Sequence, residues 1–275
     1  MIPKIIHYIW LGKNLKPKNF GEVFESWIKF AASFEIKEWN ENNISEFSLP
    51  DYFHKAMAEK RYAFASDVLR CHILYKYGGI YLDIDEKLFK DIPDDFLGAN
   101  FFTAYYHGRK DYFGFGFLGL VKEGFLMKDM INFYDNYDLK DGYEIINSIF
   151  SKILVQYLNK SIKIEKIKKE IEREIIDKKE MEKETVYEGD EVDGVDEFVF
   201  ENQKLKIFPE EYFYPEKVYG HNFEKAYAIH FGNTSWIPWY RKILYKFPFY
   251  NHLKSILKFL LPKNLQKKVF NMRYE

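Results

Sequence analysis

One cysteine, Cys71, is all that 275 residues contain, so no disulfide framework exists and a reducing compartment is permitted. It falls inside a helical pattern, where buried filler is the plain reading. Net charge is nearly absent too: 41 Lys+Arg stand against 42 Asp+Glu, leaving -1 at pH 7. Bulk electrostatics therefore argue for neither a nucleic-acid binder nor an enzyme of acidic substrates. No stretch of about 18 uninterrupted apolar residues occurs, which removes a helical membrane span. The opening MIPKIIHYIW is too short an apolar run for a secretory leader and has no small-residue cleavage site, so a soluble, cytoplasmic protein is expected.

What is plentiful is apolar surface. Hydrophobic residues make up 47% of the chain and aromatics 20%, enough for a sizeable core. The length suits one large domain with appendages, or at most two small ones.

The chain is organised around YAFASDVLRCHILYKYGGIYLDIDEKLF, residues 62–89. A helical pattern ends at Gly78-Gly79, and the apolar run Ile80 to Ile84 then reads as a strand carrying Asp83 and Asp85. Side chains alternate along a strand, so Tyr81, Asp83 and Asp85 are predicted to share one face. At about 3.3 Å per residue the two acids stand roughly 6–7 Å apart, a span that one divalent cation or cation–diphosphate unit fills. Two like charges this close on an apolar strand call for a counter-charge. An Asp-x-Asp at a strand end also occurs without function; here the strand is hydrophobic enough to be central, and open α/β sheets collect ligands beyond the carboxyl ends of such strands. In the helix before it, Asp67 and Arg70 stand three apart. They read either as an ion pair on an exposed face or as cleft residues, Asp67 accepting from sugar hydroxyls and Arg70 neutralising phosphate or holding Asp67.

The rest follows a strand–helix–strand rhythm. Residues 3–11 suit a strand buried on both faces, with His7 a hydrogen-bonded core histidine and Trp10 at the strand end, either stacking on a nucleotide base or packing in the core. Residues 20–34 have helical spacing and 35–39 read as a strand, a doubly wound α/β beginning. Residues 101–120 suggest two short strands around a polar turn at 107–111, and helices are expected over 124–137 and 144–158. A charged helix with a thin isoleucine seam and an acidic loop fill 155–197, acting as an interface or a cleft cover. A strand at 205–208 and another at 226–231 ending at His230 follow. Beyond it, Asn233 and Ser235 offer metal or phosphate ligands, and Trp236 an indole donor, or else all three cap a turn.

The final segment, 240–275, interleaves basic residues with aromatics and leucines. That composition suits an anionic membrane surface, while a terminal helix docked on the core is the competing reading.

Three separated stretches, IPKIIHYIWLG, YAFASDVLRCHILYKYGGIYLDID and KIFPEEYFYP with AIHFGNTSW, resemble glycosyltransferase family 32, the group with a DXD sugar-binding region. They are also similar to the catalytic domains of clostridial glucosylating toxins. The resemblance implies an α/β fold of GT-A type, Rossmann-like, with a mostly parallel central sheet over residues 1–239. It implies a retaining hexosyltransferase that uses a nucleotide sugar, UDP-hexose or GDP-mannose, with Mn²⁺ or Mg²⁺, and a glycan, lipid-linked saccharide or protein as acceptor. Carried over, Trp10 stacks on the base, Asp67 and Arg70 hold the donor sugar, and Asp83 touches ribose and sugar. Asp85 binds the metal, with His230, Asn233 and Ser235 completing its shell or meeting the diphosphate, and Trp236 reaches the β-phosphate. Attack comes from the front side, the leaving phosphate oxygen taking the acceptor's proton. The chain departs from the family in having Phe231 where many relatives carry a second histidine, and in lacking a Gly-Pro motif around 145–185. A haloacid-dehalogenase-like phosphatase, which also starts from Asp-x-Asp, needs a Thr or Val soon after the second acid where Glu86-Lys87 stands. A non-catalytic, membrane-docked metal-binding protein is the remaining alternative.

Overall fold

The computed structural model describes residues 1–161, 195–215 and 224–231. Most of the charged insertion, the segment with Asn233, Ser235 and Trp236, and the basic C-terminal segment therefore lie outside the described residues.

The main sheet runs in the order β2 (Glu35–Trp39), β1 (Ile5–Ile9), β3 (Gly79–Leu82), β7 (Phe117–Leu120), β5 (Phe101–Tyr106), β9 (Gln203–Phe208) and β8 (Asp196–Phe200), with β6 (Arg109–Phe113) paired to β5. Strand β1 is parallel to both β2 and β3, and β9 is parallel to β5, while β7 is antiparallel to both β3 and β5. Hence β2, β1, β3, β5 and β9 all point one way, and only β7 and β8 on that path oppose them. The sheet is mostly parallel in direction although half its pairings are not. Strand β4 (Glu86–Leu88) and β10 (Ala228–His230) form a separate antiparallel ribbon.

Alternation along the strands feeds two cores. Ile6, Ile80, Leu82 and Phe102 face one, where α1 (Phe20–Phe30) contributes Val23 and Trp27 and α4 (Asp94–Leu97) contributes Phe96. Ile9, Tyr81, Phe101 and Leu118 face the other, beneath α2 (Asp51–Ala58), α3 (Tyr62–Tyr77), α5 (Phe125–Asp135) and a helix, α6, described from 146 to 161. Helix α3 packs against α2, α5 and the sheet, so it is buried over most of its circumference and not along a single stripe. Its exit needs glycine: Gly78 has φ +64 and Gly79 φ +97, and a Cβ on Gly79 would sit 2.7 Å from the Ile5 carbonyl oxygen.

His7 is fully buried at this junction, its Nε2 2.9 Å from the Gly78 carbonyl oxygen and its Nδ1 accepting from the Trp39 indole at 3.1 Å. Burial pushes its pKa down to about 4 against the Gly78 contact, so the ring is neutral.

Four local expectations need correction. The first helix stops at Phe30, where Ala31 donates back to the Trp27 carbonyl. Residues 101–120 hold three strands, because Gly114 to Gly116 break the second run before β7. The acidic stretch expected as loop to residue 197 already enters β8 at Asp196, paired with Ile207. The β3 strand ends at Leu82, two residues early, with consequences for the acids.

Candidate active site

Past Leu82 the chain does not stay pleated. Asp83 donates its N–H to the Gly116 carbonyl (2.8 Å), and Glu86 donates its N–H back to the Asp83 carbonyl (2.9 Å), closing a four-residue turn. The turn, not strand alternation, gathers the two acids. One ligand atom each from Asp83, Asp85 and His230 all lie within 4.8 Å of one another. His230 comes from β10, directly across the ladder from Glu86, and Phe231 extends the pairing by donating to the Asp85 carbonyl at 2.9 Å.

Asp67 and Arg70 are buried, which removes the exposed face from the ion-pair reading; the two form an internal pair beside Asp83. Arg70 Nη2 lies 3.0 Å from Asp67 Oδ1 and 3.2 Å from Asp83 Oδ1, while Nη1 donates to the Phe115 carbonyl at 3.0 Å. Its guanidinium carbon stands 4.3 Å from the centre of the Tyr81 ring, whose hydroxyl donates to Asp83 Oδ1 at 2.9 Å. Arg70 is thus committed to two carboxylates and a carbonyl, and orients Asp83. Burial pushes the Asp67 carboxyl up to about 7, with Arg70 opposing and Asp83 reinforcing the shift.

Glu86 is fully buried, its Oε1 3.0 Å from Nδ1 of His230, which also stands 3.4 Å from Asp85 Oδ1. The contact is close but poorly aligned, so neither Glu86 oxygen makes a well-directed hydrogen bond. Burial raises the Glu86 carboxyl to about 7 although His230 opposes it. On His230 burial works downwards, but Glu86 with Asp85 and Asp83 outweighs it and pushes the imidazole up to about 10. A cavity of about 50 Å³ opens beside these groups, lined by Asp83, Glu86, Tyr106, Asn147, Tyr214 and His230. Gly116 forms its floor, where a Cβ would come within 2.7 Å of Glu86 Oε1 and 2.9 Å of Asp83 Oδ2.

Among the described residues, Asp67, Asp83, Asp85 and Glu86 meet the cationic groups Arg70 and His230 in one acidic cluster, a setting that suits a cation. Two carboxylates and an imidazole, with a buried carboxylate lacking aligned donors beside them, fit a divalent ion of the Mn²⁺ or Mg²⁺ kind.

Trp10 follows β1 at the same sheet edge as Asp83, since β1 and β3 are parallel neighbours. Its indole N–H is spent on the Asn14 carbonyl (2.7 Å), which leaves the ring face for stacking. Glu86, Tyr106, Asn147 and Tyr214 were not singled out from sequence. None of the four stands out in the sequence, Glu86 included, since β4 reads Glu-Lys-Leu; the fold brings them together.

With this geometry in hand, comparison with known proteins is informative. Residues 17–102 match the family described as glycosyltransferase sugar-binding region containing DXD motif, a span that includes Asp67, Arg70, Asp83 and Asp85. The likeness is to that region and takes in less than half of the chain. It is 38% identical over 111 residues to the uncharacterized glycosyltransferase L373 of Acanthamoeba polyphaga mimivirus, covering 38% of this chain and 44% of that protein. It is also 38% identical over 87 residues to inositol phosphoceramide mannosyltransferase 3 of Schizosaccharomyces pombe, covering 30% of this chain and 24% of that one. Toxin Afp18 of Yersinia ruckeri matches at 30% over 118 residues, 31% of this chain and 6% of the toxin. The chain thus spans less than half the length of these curated relatives. Among solved structures, PaToxG glycosyltransferase superposes with a TM-score of 0.48 at 20% identity, over 56% of this chain and 69% of that one.

Proposed function

We propose that this protein is a glycosyltransferase: a retaining, divalent-cation-dependent hexosyltransferase of GT-A architecture. It takes a hexose from a nucleotide sugar, with UDP-hexose favoured over GDP-mannose, and passes it to a saccharide or lipid-linked glycan in bacterial surface polysaccharide synthesis. The observation that carries the reading is the convergence of Asp83, Asp85 and His230 within 4.8 Å at the carboxyl edge of β3, inside and beside the matched region.

In this scheme Asp83, Asp85 and His230 hold Mn²⁺ or Mg²⁺, joined by Asn233 or Ser235. Bound there, the cation would neutralise the diphosphate as the glycosyl–phosphate bond breaks. Arg70 locks Asp83 towards ribose and sugar, and Asp67 receives sugar hydroxyls. Trp10 stacks on the base and Trp236 donates to the β-phosphate. No carboxylate is assigned as nucleophile; the acceptor hydroxyl attacks from the leaving-group side and gives its proton to a phosphate oxygen. Residues 1–239 form the catalytic unit, and 240–275 dock it on the inner face of the cell membrane.

The test is a panel of UDP- and GDP-sugars scored for Mn²⁺-dependent donor hydrolysis. Hydrolysis of one UDP-hexose that stops when Mn²⁺ is chelated is the expected result; no hydrolysis of any sugar nucleotide would remove the reading. The matched relatives include proteins named as toxins, which supports trying protein acceptors next to glycans. Sedimentation with anionic vesicles, with and without residues 240–275, tests the membrane assignment, and equal sedimentation would reject it.

A further inference from the structure

Burying a carboxylate wholly costs several kcal/mol unless something answers its charge. Glu86 is such a group, and its surroundings are arranged to keep it. The Trp27 indole donates to its carbonyl at 2.7 Å, its N–H closes the Asp83 turn, and Gly116 leaves space beside Oε1. The ladder sets His230 directly opposite, and of the two carboxylates near Nδ1, that of Glu86 is the closer, 3.0 Å against 3.4 Å for Asp85.

We propose that Glu86 is a positioning residue for the cation site: its close but unaligned contact with His230 becomes a hydrogen bond from Nδ1–H when the ion binds, which fixes the tautomer and angle of the ring and so reserves Nε2 as the ligand atom. Histidines that bind metals commonly hand their other N–H to a carboxylate in this way, which raises the basicity of the ligating nitrogen. The arrangement also explains why a fourth acid is tolerated next to Asp83 and Asp85: the histidine stands within 3.0 Å of it. The inference rests on the cation reading above and deepens it by giving Glu86 a part of its own.

Mn²⁺ titration of the full chain by calorimetry tests it, comparing wild type with Glu86→Met, which keeps the volume and removes the acceptor, and Glu86→Gln, which keeps an acceptor oxygen. Glu86→Met is expected to weaken Mn²⁺ binding about 10–100-fold and Glu86→Gln to recover most of it. A second readout needs no variant: ¹⁵N spectra of the wild-type His230 ring with Mg²⁺ should show Nδ1 protonated and Nε2 shifted. Binding by Glu86→Met within about twofold of wild type, or Mg²⁺ shifting Nδ1 in place of Nε2, would overturn the proposal while leaving the cation reading intact. A wild-type protein that binds no Mn²⁺ would overturn both.

Discussion

The indole of Trp27 donates to the carbonyl of Glu86 at 2.7 Å, which ties helix α1 to the strand that follows the paired aspartates. One residue earlier, Ser26 Oγ accepts the Leu88 N–H at 3.0 Å, so the clamp has two points. Trp27→Phe keeps most of the packing and orphans a buried carbonyl. It should cost about 1–3 kcal/mol, read as a lower midpoint in urea unfolding. An unchanged midpoint would mean that the clamp does not bear on stability.

Arg70 is the cation between Asp67 and Asp83, and a planar fork is what reaches both and Phe115 together. Arg70→Ala leaves the buried Asp67 without its cation, facing the half-buried Asp83, and should destabilise by about 3 kcal/mol. Arg70→Lys keeps the charge but not the fork, so the protein should fold while donor hydrolysis falls at least about tenfold. Wild-type turnover by the lysine variant would show that charge alone suffices.

Asp85 has a different part: it takes no share in the Arg70 contacts and converges with Asp83 and His230. Asp85→Ala is expected to lower Mn²⁺-dependent hydrolysis by about 100-fold or more with little change in the thermal midpoint. Activity near that of wild type would dismiss the central assignment.

His7 predicts a pH dependence of stability. Its folded pKa of about 4 lies below the ordinary histidine value of 6.5, so between those limits the unfolded chain holds the extra proton. Stability should therefore be full above about pH 6.5 and fall as pH drops towards 4, by about 3 kcal/mol in total. Urea unfolding of wild type and His7→Gln at several pH values checks this; the gap between their slopes should be confined to that window. Parallel curves would assign the acid sensitivity elsewhere.

Gly116→Ala would drive a methyl onto Glu86 and Asp83 and should cost about 1–3 kcal/mol and most of the hydrolytic activity. Gly21→Ala is the matched control. It lies in α1 with nothing within 4 Å of the added carbon, and should be neutral or stabilise by up to about 1 kcal/mol. Equal effects from the two would count against crowding as the cause.

Local pattern carried much of this from the sequence alone. The apolar run at β1, the 3.6-residue spacing of α3 and the double glycine announced a parallel α/β sheet, and Asp83 and Asp85 stood out as acids at the end of a buried strand. Their grouping was expected for the wrong reason, since alternation supposes a strand where a tight turn exists, and that turn depends on Gly116, a residue distant in sequence. Arg70 could not be placed because helix periodicity says nothing of elements that later cover the polar side; Tyr81 and Asp83 at the end of β3 and Phe115 do so here. Glu86 was hidden because its meaning lies in the register of β4 with β10, and pairing between remote strands leaves no trace in either segment.

That pairing orders events in time as well as atoms in space. The aspartates leave the ribosome early, while the histidine that completes their cluster belongs to the last described strand. Under the proposed function, a fragment ending before residue 230 keeps both acids but not the histidine, and is expected to show no donor hydrolysis.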